Sequence, residues 1–285
     1  MNLANINELK KLLSEQGFSF KKSLGQNFLV DPSVCPRMAA AAADDETGVI
    51  EVGPGAGVLT RELATRAKKV IAIELDERLR PILQKTVGEF DNVKVIFSDV
   101  LKTDLKKLIE TEFADCKRVN ICANLPYYIT SPIVMGLLEQ KLNIESITVM
   151  VQKEAADRLC AEVGTRAAGA VTVAVRYFAE ATTLFDVPRE CFLPSPNVDS
   201  AVINLKVLKE SPIHVADEKK FFALVKACFA QRRKTLINTV SNTMGINKEI
   251  LKEALTKADL PLTARGEELT MEQLCSLANV LTKKE

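Results

Sequence analysis

The chain has one histidine, His214, among its 285 residues. It follows Pro212 and Ile213 in a stretch that reads as a linker, so a histidine-based triad or metal cluster cannot be assembled. The seven cysteines (Cys35, Cys116, Cys122, Cys160, Cys191, Cys228 and Cys275) are odd in number, scattered, and include no C-x-x-C pair. That argues against a disulfide framework and against a zinc site, and no metal is expected. No apolar run reaches the roughly 18 residues of a membrane helix. The opening Met1-Asn2-Leu3-Ala4-Asn5 lacks the basic start and apolar segment of a signal peptide. Together these lacks predict a cytosolic protein with free thiols and no membrane partner. Net charge is only +1, which does not by itself point to nucleic acid.

What is present is material for a large core. Apolar residues make up 47% and charged residues 26%, enough for one large or two ordinary domains and too apolar for disorder. The chain is organised around Val49-Ile50-Glu51-Val52-Gly53-Pro54-Gly55-Ala56-Gly57. An apolar run reads as a buried parallel strand, three alternate glycines follow, and Val58, Leu59, Leu63, Ala64 and Ala67 recur at helical spacing. A strand, glycine turn and helix is the first unit of a doubly wound α/β sheet, where ligands bind beyond the carboxyl ends of the strands. The pattern is E-x-G-x-G-x-G. The dinucleotide fingerprint would need glycine at 58, where the chain has Val58.

Two further strands end in acids. Val70-Ile71-Ala72-Ile73-Glu74 places Glu74 17 positions after Gly57, and Val93 to Phe97 leads through Ser98 to Asp99. Taken singly, each acid reads as a helix cap or a solvated strand end. With Gly53, Gly55 and Gly57 on three successive strand ends, they read as a nucleoside cradle. Glu74 would accept both ribose hydroxyls, and Asp99 would accept from an exocyclic amine such as that of adenine.

A fourth strand, Val119 to Ala123, runs into Asn124-Leu125-Pro126-Tyr127-Tyr128. Here the chain resembles S-adenosylmethionine-dependent methyltransferases with an N-L-P-Y motif, and within them the small-subunit ribosomal RNA adenine N6,N6-dimethyltransferases. The resemblance also covers Ser23 to Leu29, Val52 to Gly57, Phe192-Leu193-Pro194-Ser195-Pro196-Asn197-Val198-Asp199-Ser200-Ala201, and Gln231-Arg232-Arg233-Lys234. It implies S-adenosylmethionine as cofactor, and a Rossmann-like class I methyltransferase sheet with helices on both faces plus a small all-α C-terminal domain. Asn27 and Leu29 would close the cofactor pocket, with Gly53, Gly55, Gly57, Glu74, Asp99 and Asn124 holding the cofactor. The Asn124 amide oxygen and a main-chain carbonyl of Leu125 or Pro126 would accept from the target amine. Tyr127 offers a stacking face and Phe192 a clamp on the other side, while Tyr128 reads as packing. The product would be N6,N6-dimethyladenosine at two adjacent adenines in a 3′-terminal hairpin loop of small-subunit rRNA. The partner would be that RNA within a partly assembled 30S subunit, met by a monomeric enzyme.

Alternation of strands and helices continues to residue 163, with Ala170–Phe178 apolar enough for either. Strands near 181–187 and 201–208 close the sheet, and helices are expected at roughly 217–230, 232–243, 247–257 and 271–282. A linker at Lys209-Glu210-Ser211-Pro212 divides a methyltransferase domain, 1–209, from a helical RNA-recognition domain, 210–285. Between Lys206 and Lys234 eight basic residues face three acids. That surplus suits phosphate binding, with Lys21, Lys22, Arg232, Arg233 and Lys234 as candidate RNA contacts, although it also suits a solvated helix face. Three rival readings are a large-subunit rRNA adenine methylase, a non-catalytic RNA-binding ribosome assembly factor, and a nicotinamide dehydrogenase. Leu125, the V-D-S-A segment and the tail count against the first, the intact site against the second, and Val58 against the third.

Overall fold

The computed structural model describes residue 3 and residues 5–18 and 27–282. Lys21 and Lys22, with Ser23 to Gln26, lie outside the described residues. The strands are β1 (Phe28–Leu29), β2 (Thr47–Val52), β3 (Lys69–Glu74), β4 (Val93–Phe97), β5 (Arg118–Asn124), β6 (Ser146–Gln152), β7 (Ala179–Val187), β8 (Phe192–Leu193) and β9 (Ser200–Val207). Seven of them form one sheet in the order β4-β3-β2-β5-β6-β9-β7. Strands β2 to β6 pair in parallel, and β9 joins β6 antiparallel.

Parallel pairing requires both faces of the sheet to be covered, which is why β2, β3 and β5 are apolar without alternation. Adjacent residues such as Val49 and Ile50, which face opposite sides, are both fully buried. On one face, α2 (Val34–Ala42) and α3 (Val58–Ala64) cover Val49, Val70, Cys122, Met150 and Val202. Helix α2 was not among the expected elements, because its alanines carry little period. Elsewhere α1 (Ile6–Glu15) and α4 (Arg80–Val87) build a second cluster around Leu9, Leu79, Ile82 and Leu83. Asn5 caps α1 by accepting from the Asn7 and Glu8 amides, and Gly17 turns the chain out of it. Pro81 sits in the first turn of α4, where its missing N–H costs nothing.

The chain packs as two compact units, residues 1–156 with 181–207, and residues 157–180 with 208–285. This differs from the division expected at 209/210, because residues 157–180 join the helical unit. The reason is aromatic packing. After α5 (Leu105–Glu112), α6 (Thr130–Glu139) and α7 (Lys153–Cys160), helix α8 (Ala170–Phe178) brings Tyr177 and Phe178 onto Phe221 and Phe222 of α9 (Glu218–Cys228), with ring centroids 5.1 to 5.6 Å apart across the two helices. Helices α10 (Leu236–Met244), α11 (Lys248–Lys257) and α12 (Met271–Thr282) complete this unit. Residues 231–234, expected to begin a helix, form a turn ahead of α10. Among the described residues no helix is long and apolar enough to cross a membrane.

Candidate active site

The sheet reverses its strand order between β2 and β5, and a cavity opens at their carboxyl ends. Gly53, Gly55, Glu74, Asp99 and Asn124 all line it, as do Asn27 and Leu29 from the β1 segment. Four strand ends spread over 72 residues thus meet at one place because parallel strands all point their carboxyl ends the same way.

Gly55 has φ +59°, and a Cβ there would lie 2.9 Å from the Phe28 ring. Glycine at this positive φ therefore lets Phe28 pack directly on the turn, while nothing among the described residues lies within 4 Å of a Cβ at Gly53, beside the cavity. Its amide donates to Glu74 Oε2 at 3.1 Å, and the Asp76 amide donates to Oε1 at 2.8 Å. These two bonds hold the buried Glu74 carboxyl in place, and each oxygen keeps a lone pair for a hydroxyl. Burial raises its pKa against the pull of those hydrogen bonds. Asp99 lines the cavity, and its Oδ1 accepts from the Leu101 amide at 3.0 Å within a turn; it caps no helix, the next one being capped by Asp104.

Gly57 is placed differently from the expectation. It does not line the cavity; a Cβ there would meet Thr86 Oγ1 at 2.8 Å and Val87 Cγ1 at 2.9 Å, both on α4. Its glycine serves the packing of helix against helix. The reason is geometric: alternate residues of the loop point to opposite sides only while the chain is extended, and by Gly57 it has already turned into α3, with Gly57 donating to the Pro54 carbonyl at 2.9 Å.

In the N-L-P-Y loop, the Asn124 side-chain amide donates to the Asn27 carbonyl at 3.4 Å. That contact spends its N–H and leaves Oδ1 free to accept. The Pro126 carbonyl takes the Ile129 amide (3.2 Å) and the Thr130 hydroxyl (3.3 Å). Among the described residues no such turn bond is made to the Leu125 carbonyl, so of the two candidates it is the one available as an acceptor. Tyr127 is half-buried, and its hydroxyl shares a 2.7 Å hydrogen bond with Ser200 Oγ, which fixes the ring at the cavity wall. Burial raises its phenol pKa.

Tyr128 and Phe192 exchange places relative to expectation. Tyr128 is 60% exposed on the cavity rim instead of packing, and Phe192 is 3% exposed in the core beneath α2. The cause is the pairing of β1 with β8, Leu29 opposite Phe192, which draws Phe192 under the Asn27–Leu29 segment. Its ring has no open face for a base in this arrangement. In the helical unit, Arg232, Arg233 and Lys234 all stand exposed, and Arg232 Nη2 donates to the Ala168 carbonyl at 2.6 Å.

One cavity residue had not been assigned a role. Glu51 is 1% exposed, and its Oε2 has no hydrogen-bond partner among the described residues. Its signal was an acid inside an otherwise apolar strand. Desolvation pushes the carboxyl up to about 8 against the pull of the Thr60 hydroxyl, helped by the nearby charge of Glu74. A carboxyl raised in the folded state binds a proton that the unfolded chain has already lost, so it favours folding at low pH and loses that advantage as pH rises from about 4.5 to 8. Without ligand, unfolding free energy should fall over that range by roughly 2–5 kcal/mol relative to Glu51→Gln. Urea unfolding of both proteins at pH 5 and pH 8 tests this; parallel curves would exclude it.

The profile described as ribosomal RNA adenine dimethylase matches residues 17–283. The chain belongs to that family. Among curated relatives, the ribosomal RNA small subunit methyltransferase A of Bacillus pumilus is 50% identical over 278 residues, covering 96% of this chain and 95% of its own. The protein of that name from a Geobacillus species is 47% identical over 284 residues, 98% of each chain. Among solved structures, a dimethyladenosine transferase from Plasmodium falciparum superposes with a TM-score of 0.74 at 27% identity, covering 90% of this chain and 98% of that one. The 23S rRNA methyltransferase ErmE gives 0.65 at 28% identity, covering 90% and 99%. The seven-stranded sheet with its helices is a class I methyltransferase fold, matched by these two structures.

Proposed function

We propose that this protein transfers methyl groups from S-adenosylmethionine to N6 of adenine in small-subunit ribosomal RNA, giving N6,N6-dimethyladenosine at two adjacent adenines of a 3′-terminal hairpin loop. The observation that carries the reading is the shared cavity: the nucleoside cradle of Gly53, Gly55, Glu74 and Asp99 opens onto the Asn124–Tyr127 loop. The cofactor fits the residues present, since Glu74 offers two oriented acceptors and the backbone at Gly53 borders open cavity, with nothing among the described residues within 4 Å of a Cβ position. When bound, it supplies an activated methyl carbon on a sulfonium, so no metal or general base of the protein is required.

The protein's task is the nucleophile. An aromatic amine delocalises its lone pair into the ring. Asn124 Oδ1 and the Leu125 carbonyl, each accepting one N6 hydrogen, hold the amine in line and make it more nucleophilic. Tyr127 provides a stacking face, worth roughly 1–3 kcal/mol. Once methylated, the nitrogen loses its proton to water. A base buried in a helix would have to leave the stack to reach this loop. Arg232, Arg233 and Lys234 are all exposed, which suits them as RNA contacts, and Arg232 also holds the Ala168 carbonyl through Nη2. Small-subunit RNA is favoured over large-subunit RNA by the near full-length identity to small-subunit enzymes. We place the enzyme in the cytoplasm, acting as a monomer on a partly assembled subunit.

The test is transfer of labelled methyl from S-adenosylmethionine to unmethylated small ribosomal subunits, followed by digestion of the RNA to nucleosides. Labelled dimethyladenosine is the expected product. Label in large-subunit RNA alone would move the protein to the neighbouring branch, and subunit binding without transfer would make it an assembly factor.

A further inference from the structure

The mouth of the cavity carries an aromatic ring that the protein itself does not use. Of the large apolar side chains exposed among the described residues, Tyr128 is the only aromatic and the most open. It borders the cavity, as do two others of that set, Leu75 and Leu101. Among the described residues its hydroxyl makes no hydrogen bond and its ring meets no other ring. Its neighbour Tyr127 is the opposite case, half-buried and tied to Ser200 Oγ.

Both rings are mounted on one short turn. Residues Tyr127–Ile129 form a single turn of 3-10 helix entered from Pro126, whose φ is −59°. The Ile129 amide and the Thr130 hydroxyl both donate to the Pro126 carbonyl and close it. Three residues complete such a turn, so consecutive side chains leave it about 120° apart. With Tyr127 fixed on the cavity wall, Tyr128 is held at the mouth at a set angle to it. Leu75 and Leu101 share that rim but offer no flat face.

A base that leaves its stack uncovers a face on each neighbour, and this exposure is part of what extrusion costs. A flat ring beside the opening can cover one such face. We infer that Tyr128 stacks the nucleotide next to the target adenine, on one side of it, replacing the base drawn into the cavity. This rests on the RNA adenine reading above. The contact tolerates any base, because every base has a π-face. With two adjacent target adenines, the second adenine fills this place in one register and a flanking nucleotide fills it in the other.

The experiment uses small subunits reconstituted with a synthetic 3′-terminal RNA segment. The segment keeps a single target adenine, the second being replaced by guanine. An abasic site lies directly 5′ of that adenine, directly 3′ of it, or nowhere. Subunit affinity is measured for wild type, Tyr128→Ala, Tyr128→Phe and Tyr128→Leu. Without an abasic site, Tyr128→Ala should bind about 5–150-fold more weakly than wild type. Tyr128→Leu should lie close to the alanine variant, and Tyr128→Phe within about twofold of wild type. On one of the two abasic subunits wild type should fall to the level of Tyr128→Ala, and the variant should lose nothing more. An equal penalty for Tyr128→Ala on all three RNAs overturns the inference, and so does wild-type affinity in Tyr128→Leu. Weakened binding of S-adenosylmethionine with subunit affinity intact also overturns it, by placing the ring over the cofactor. If wild type transfers no methyl to natural unmethylated subunits, the methyltransfer reading itself fails, which none of the other outcomes implies.

Discussion

Replacing Asn124 by alanine is expected to lower methyl transfer to unmethylated small subunits by about 10²–10³-fold at saturating cofactor and subunit, the usual cost of removing one oriented hydrogen-bonding group at a reacting centre. The side chain acts only if its oxygen faces the amine, and the structure shows what turns it. The 3.4 Å bond from Nδ2 to the Asn27 carbonyl commits the nitrogen side of the amide and leaves Oδ1 as acceptor. Alanine removes the acceptor and leaves the amine free to rotate its lone pair into conjugation. Because the Leu125 carbonyl and Tyr127 remain, base binding should weaken much less than the rate. Single-turnover rates and subunit affinity, measured on the same variant, separate the two. A loss confined to affinity would mean that Asn124 merely helps to hold the base.

The second large effect is on stability. Gly57→Ala should destabilise the protein by about 2–5 kcal/mol, the sum of an unfavourable φ of about 1–2 kcal/mol and overpacking of about 1–3 kcal/mol. Its φ is +87°, and the added methyl would press on Thr86 and Val87, both buried in α4. Gly53→Ala is the matched control. Its φ is +72°, yet nothing lies within 4 Å of a Cβ there, so only the conformational cost of about 1–2 kcal/mol applies. Urea unfolding of the two variants should therefore differ clearly. Equal losses would show that α4 yields to the extra methyl. Against total stabilities of roughly 5–15 kcal/mol, the Gly57 change approaches loss of the fold.

Much of the site was legible because it is built from short contiguous signals. A strand followed by alternate glycines, an acid closing a strand, and an Asn-Leu-Pro-Tyr loop each declare local geometry. Parallel pairing then carries them to one edge without further instruction. Positions that were misjudged depend on partners far away in the chain. Phe192 looked like a clamp beside a proline-rich turn, but its pairing with Leu29, 163 positions earlier, buries it. Tyr128 looked like packing, yet the helical turn that seats Tyr127 against Ser200 leaves its neighbour exposed.

By itself, then, the sequence determined the α/β sheet, its ligand-binding edge and the residues offered there, because backbone propensity and side-chain period act over a few residues at a time. The tertiary structure alone decided which glycines border the cavity and which faces a helix, which aromatic is open, and that residues 157–180 pack with the helical unit. It also decided that Glu51 is buried at the cavity, where desolvation raises its pKa. Burial and desolvation are properties of what surrounds a group, and those surroundings are assembled from segments that the chain order keeps apart.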